Sequence, residues 1–197
     1  MTVIQPFRRS RPRLPAAERR RQIIDVTTRL IAERGFWGLS MQDVADGCGL
    51  TVPGLLHHVG SKDGLLLAVL DYRDEQDTRA LVAELGDAAT VTPREICAAL
   101  VRRNAGQPEI VRLFAVLEAE SLTPDHPAHD YFEARQRRTL EGLTAALKEH
   151  TAEPEAVAVR IVALMDGLQI QWLRNPGEVD LVAQWESSAA VLFAGIG

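Results

Sequence analysis

Apolar residues recur along this chain at intervals of three and four, from about residue 16 onward. Ile23, Val26, Thr27, Leu30 and Ile31 form one stripe, which Gly35 stops. Met41, Val44, Ala45 and Cys48 form a second, spaced i, i+3, i+4 and i+7. Such spacing turns one face of a helix inward. Leu65, Leu66, Val69 and Tyr72 open a longer run toward Leu85, and Ile110, Leu113, Phe114 and Leu117 make another. Val157, Ile161, Leu164, Met165, Leu168 and Trp172 share a wide face before Asn175-Pro176-Gly177. A last group holds Leu181, Val182, Trp185, Ala189, Leu192 and Phe193. No period-two alternation and no repeat interrupts these stripes, so the pattern predicts an all-α chain of about nine helices.

Capping residues set the boundaries. Ser40 stands three residues before Asp43 at the start of the second stripe, and Gly47 and Gly49 bracket Cys48 where the chain must turn. Thr51 caps the next segment, which carries Pro53 in its first turn and runs to about His58. Ser61 caps a third that begins at Lys62. Two short helices joined by a tight glycine turn describe a helix-turn-helix, whose second helix is shaped to enter a DNA major groove. Phe36, Trp37 and Leu39 are expected to fold over these helices. Farther on, Thr92-Pro93 restarts a helix through Ala105, Gly106 to Glu109 breaks it, and Ser121 to Pro127 reads as a loop. Tyr131 to Glu149 and a segment opened by Pro154 follow.

Charge adds a polarity that the net value of −5 hides. Residues 1–62 hold ten Lys and Arg against five Asp and Glu, whereas residues 63–197 hold twelve against twenty-two. A basic head on an acidic body turns the head toward phosphates. Residues 1–15 carry Arg8, Arg9, Arg11 and Arg13 among Pro6, Pro12 and Pro15, the composition of a basic, unpacked arm that tracks phosphates or enters a minor groove. The reading is three units: an arm at 1–15, a helix-turn-helix head at 16–62 and a helical body at 63–197. No run of about 18 apolar residues appears, so no membrane span is expected. The N-terminal arginines precede no apolar segment of a secretory signal, and Cys48 and Cys97 both fall on inward faces, as thiols of a reducing cytoplasm do.

The string GLTVPGLLHHVGSKDGLL resembles the end of the DNA-binding domain of the TetR/AcrR family, commonly G-V-S-x-G-T-L-Y-Y-H-F-x-S-K-x-x-L. Gly49, Leu55, His58, Ser61, Lys62 and Leu65 match it, and Thr51 replaces Ser. Pro53 and Gly54 stand where Gly and Thr are usual, Leu56 and His57 replace two aromatics, and Val59 replaces Phe. The resemblance covers residues 17–70, and beyond them only helical layout and length. It implies a ligand-responsive regulator, most simply a cytoplasmic repressor that binds a palindromic double-stranded operator as a homodimer. It also implies a body that encloses a small, partly apolar effector.

Within that frame Ser40, Gln42, Thr51, Val52, Pro53, Gly54, Leu56, His57 and Lys62 are the DNA-facing set. Val52 and Pro53 suit thymine methyl groups, Gln42 an adenine edge, and Lys62 at a helix start a phosphate. Leu55, Val59 and His58 are assigned to the core. Phe114, Leu117, Met165, Gln169 and Trp172 combine bulk with a polar handle and are the expected ligand lining. Ala163 and Gly167 permit close approach and Trp172, Trp185 and Ala189 supply area, so the last two helices are the expected dimer seam. His126, His129 and Asp130 are read as an ordinary helix start and not as a metal site. No nucleophile elbow, Walker loop or CxxC is present, so neither an enzyme nor a cofactor is expected. The alternative is an architectural or protein-interaction module of the same fold with a solid body.

Overall fold

The computed structural model of the chain describes residues 14–86 and 91–194. The basic arm's four arginines therefore lie outside the described residues. Within them every regular element is helical: α1 (Ala16–Arg34), α2 (Met41–Cys48), α3 (Val52–Val59), α4 (Lys62–Leu85), α5 (Pro93–Ala105), α6 (Pro108–Glu120), α7 (His129–Leu147), α8 (Pro154–Arg174) and α9 (Leu181–Leu192). The stripes and caps of the sequence fall where these helices lie.

The caps act as their residue types require. The Gln42 N–H donates to Ser40 Oγ at 3.2 Å, that of Gly54 to Thr51 Oγ1 at 3.2 Å, and that of Gly64 to Ser61 Oγ at 2.9 Å. Thr92 and Glu95 close a reciprocal capping box at the start of α5. Each satisfies a donor that a first turn leaves open. Gly49, at φ 64° and ψ 36°, ends α2 in the left-handed region and redirects the chain into α3.

Two cores result. The first joins α1 to α4 through Ile31, Val44, Leu55, Leu65 and Leu66, and continues into α6 and α7 through Leu113, Leu117 and Phe132. Helix α1 packs against α2, α4 and α6, so the head rests directly on the body. The second core gathers Cys97, Leu147, Ile161, Trp172 and Trp185 from α5, α7, α8 and α9. Both cysteines are buried and unpaired in disulfides.

Two expectations are corrected, and a third is qualified. Trp37 is 60% exposed, although Phe36 and Leu39 beside it are buried. His58 is exposed, because the eight-residue α3 has only Leu55 fully covered by the core. Helix α8 is long and apolar enough to cross a membrane by length and composition, with only 22% of that stretch buried inside the chain. Arg160 and Asp166 interrupt that stretch, so the expectation drawn from the lack of an unbroken run of about 18 apolar residues is not overturned. Its Val157, Ala158, Ile161 and Trp172 belong to the second core.

Candidate nucleic-acid interface and internal cavity

Helix α3 buries Leu55 and leaves Pro53, Leu56 and His57 exposed, residues that share the opposite side of the helix at i, i+3 and i+4. Leu56, a large apolar side chain, is 37% exposed. Val52 is half-buried against the first core, and Gly54 lies so close to the cap that a Cβ there would stand 3.2 Å from Thr51 Oγ1. Gln42 is exposed on α2, its amide Nε2 donating to Asp46 Oδ1 at 2.8 Å. Ser40 and Thr51 are occupied as caps, so their hydroxyls hold helix starts whose free N–H groups point outward. Arg19 fixes the C-terminal end of α2 by donating to the Cys48 carbonyl at 3.0 Å. The described part of the head, residues 14–62, holds six Lys and Arg against five Asp and Glu, because the other four arginines precede residue 14. The basic excess therefore belongs to the arm, and the described surface is nearly balanced.

Lys62 is the first residue of α4, half-buried, with Nζ 4.5 Å from the centroid of the Phe36 ring. That ring faces two ways. Its own backbone N–H donates to Glu120 Oε2 at 2.8 Å, and its edge meets the ring of His126 with centroids 5.2 Å apart. Glu120 is the last residue of α6, and its carboxylate fills the space where a Cβ on Gly35 would sit, 2.2 Å away. Gly35 has φ 70° and ψ 175°, a conformation open in practice only to glycine. His126, from the loop after α6, is buried, accepts from the Ala128 N–H through Nδ1, and leaves Nε2 without a hydrogen-bond partner 3.7 Å from Glu120 Oε2. Burial holds its imidazole below the ordinary histidine range, against the opposing pull of Glu120. This knot joins head to body, and nothing in the sequence periodicity announced it.

Between α5, α6, α7 and α8 lies a cavity of about 470 Å³. Phe114, Met165 and Gln169 line it as expected, with Leu100, Ile110, Val111 and Leu143. Leu117 and Trp172 do not: the first is fully buried in the first core and the second is packed in the second core. One turn after Phe114, Glu118 reaches the wall instead of Leu117, and Asp166 joins it from α8. Both were passed over because charged residues inside an apolar stripe read as surface. Asn104 Nδ2 donates to Gln169 Oε1 at 3.1 Å, and Gln169 Nε2 donates to the Met165 carbonyl at 3.1 Å. Arg135 also lines the cavity, yet its Nε lies 3.3 Å from Asp74 Oδ1 and its guanidinium 4.9 Å from the Phe114 ring centroid. Cys97 is on the wall with its thiol pushed up to about 12 by burial, so it is an inert packed group.

The expected dimer seam divides. Ala163 and Gly167 are exposed on α8, beside Val159 and Ile170. Trp185 and Ala189 are fully buried within the chain, and Trp172 is nearly so, so their area is already spent on the second core. Among the described residues His129 and Asp130 gather with Glu133 within 4.8 Å, whereas His126 is turned away into the head–body knot.

Residues 23–69 match the profile of the bacterial regulatory proteins, tetR family, and residues 92–192 match the C-terminal part of the BetI-type transcriptional repressor. The HTH-type transcriptional regulator BetI of Rhizobium meliloti (strain 1021) is 30% identical over 167 residues, 78% of this chain and 77% of that protein. Among solved structures, a transcriptional regulator from Saccharomonospora viridis in complex with choline superposes with a TM-score of 0.74 at 23% identity, over 91% of this chain and 98% of that one. AibR in complex with isovaleryl coenzyme A and operator DNA gives a TM-score of 0.69 at 24% identity, over 90% and 99%.

Proposed function

Because this chain belongs to the TetR family of bacterial regulatory proteins, we propose that it acts as a cytoplasmic repressor whose homodimer leaves a palindromic operator when a small, partly apolar effector fills the cavity. It is a transcriptional regulator and not an enzyme. The observation that carries the proposal is helix α6. Ile110, Val111, Phe114 and Glu118 form cavity wall, and two residues later Glu120 holds the turn that carries Phe36 beneath Lys62. A ligand that favours one placement of α6 therefore favours one placement of the head.

On DNA, the exposed side of α3 enters the major groove with Pro53, Leu56 and His57 foremost, Gln42 reaches a base edge, and Lys62 holds a phosphate. One such head makes few base contacts, so two heads about one helical turn apart supply the affinity. Their pairing uses the uncovered side of α8, with Val159, Ala163, Gly167 and Ile170, together with Val191 of α9. Self-association of that face explains a long apolar helix that the single chain leaves mostly uncovered. The choline and coenzyme A ligands of the two solved neighbours, of opposite charge, support a ligand in the body without choosing its kind. A solid-bodied architectural module leaves the cavity unexplained.

The test is a mobility shift on the palindromic DNA upstream of the chain's own coding region, run over a salt series. Binding is expected to weaken linearly in log–log form, and Lys62→Ala to lower the slope by roughly 1 per head. An intact chain that shows no salt-sensitive binding there overturns the proposal.

A further inference from the structure

We propose that His126 makes the joint between head and body responsive to protons. When its buried ring takes up a second proton, it draws Glu120 off the Phe36 N–H, and the head loosens its hold on DNA whatever the cavity contains. This rests on the reading of the knot as the link to a DNA-reading head, and it adds a second input to that link.

The partners of the ring fix where its protons go. A backbone N–H can only donate, so the Ala128 N–H, 3.1 Å from Nδ1, requires a lone pair there. The neutral ring therefore carries its proton on Nε2, which has no hydrogen-bond partner among the described residues and stands 3.7 Å from Glu120 Oε2. The side chain is closed off from solvent, so bulk water does not supply the missing partner. A second proton must go on Nδ1. There it faces the Ala128 N–H, donor against donor, at the buried residue that precedes α7. The charged ring is pushed from Ala128 and pulled toward the Glu120 carboxylate.

Glu120 Oε2 is also the oxygen that accepts from the Phe36 N–H at 2.8 Å. A charged donor outcompetes a neutral amide for it. The Phe36 ring, moreover, has its centroid 5.2 Å from that of His126 and 4.5 Å from Lys62 Nζ. An imidazolium sets a second positive charge beside the ring on which Lys62 rests. Both effects bear on Lys62, the residue proposed to hold a phosphate.

Burial is the largest influence on the ring and keeps it neutral until pH falls below the ordinary histidine range. Glu120 from α6 and Asp63 from α4 oppose it, and His129 from α7 adds to it. His129 is itself held by the Ser121 carbonyl at 2.7 Å and lies 3.6 Å from Glu133 Oε1. Trp37, its ring centroid 5.5 Å away, closes another side without charge. The neutral ring is thus the resting state, and acidification is the signal. If the DNA-bound arrangement needs Glu120 on Phe36, DNA lowers the ring's affinity for the second proton, and the proton by reciprocity lowers the affinity for DNA. The loss grows as pH falls and is absent at high pH.

The experiment measures affinity of the full chain, without ligand, for the palindromic duplex upstream of its coding region. It runs at pH 7.5, 6.5 and 5.5 and one ionic strength, on the wild type and His126→Gln. Over that range the wild type is expected to lose roughly threefold or more per head beyond any change in His126→Gln. His57, His58 and the other titrating groups are common to both and cancel. Without DNA, nuclear magnetic resonance follows the His126 ring and the Phe36 amide. The amide proton is expected to move upfield at the ring's own midpoint in the wild type and to stay in place in His126→Gln. Glu120→Gln still accepts from the Phe36 N–H but offers no counter-charge, so midpoint and affinity loss both move to lower pH. That variant decides the matter if His126→Gln folds poorly. Matching pH profiles of wild type and His126→Gln overturn the proposal, and so does a Phe36 amide that does not follow His126. A duplex bound at no pH overturns the repressor reading and with it the release of DNA, while an amide that follows His126 still establishes the exchange at Glu120.

Discussion

The head and the body are built from the same element and finished to different degrees. In the head, Ile31, Val44, Ala45 and Leu55 are closed off from solvent, with Leu65 and Leu66 of α4 beneath them, and the short helices α2 and α3 are fixed by caps and a left-handed glycine. The body has a core of its own around Trp185, yet it keeps a hollow of about 470 Å³ and shows Val159, Ile170 and Val191 at its surface. A part that reads a rigid surface must hold one shape by itself. A part that senses must be incomplete, because a ligand shifts only a packing that it helps to finish.

Mutation can test that contrast where it is strongest. Leu55→Ala leaves a void in a filled core and is expected to cost about 2–5 kcal/mol, whereas Met165→Ala on the cavity wall enlarges an existing hollow and costs under about 1 kcal/mol. Chemical denaturation of both variants decides this, and equal losses would erase the distinction. Next comes the junction. Glu120→Ala leaves the Phe36 N–H without its acceptor, so a loss of about 1–3 kcal/mol is expected, with weaker operator binding in the same preparation. Stability lost with operator affinity untouched would show that the knot is structural only. The smallest effect is a pH slope. His126 is held below the ordinary histidine value in the folded chain, so as pH falls through about 6.5 the unfolded chain takes up a proton that the folded one resists. The thermal midpoint should therefore fall between pH 7 and pH 5.5, and His126→Gln should flatten that fall.

The contrast also explains what could be read from residues alone. The head's signals are local: Ser40 and Thr51 before helix starts, Gly49 after one, and Leu55 in phase with its neighbours. Local signals survive in a string of letters. The body's chemistry depends on which stripes meet. Leu117 and Glu118 are adjacent on α6, and only the way α6 packs against α1 and α8 sends the first into a core and the second to a cavity. Trp172 and Trp185 looked like partner-facing area because large aromatics suit both interiors and interfaces, and the second core claimed them first. The Gly35–Glu120–His126 knot joins residues separated by as many as 91 positions, a distance over which periodicity carries no information.

The cavity is walled chiefly by residues outside the first core, such as Leu100, Ile110, Leu143 and Met165. Its shape can therefore drift through successive substitutions while the reading head keeps its stability. A descendant could come to answer a new chemical signal at an unchanged address in the genome. Position 35 has no such freedom, since any side chain there would strain the backbone and strike Glu120. On the proposed reading, what the molecule listens to is open to change, while the joint through which the message would pass to the head is not.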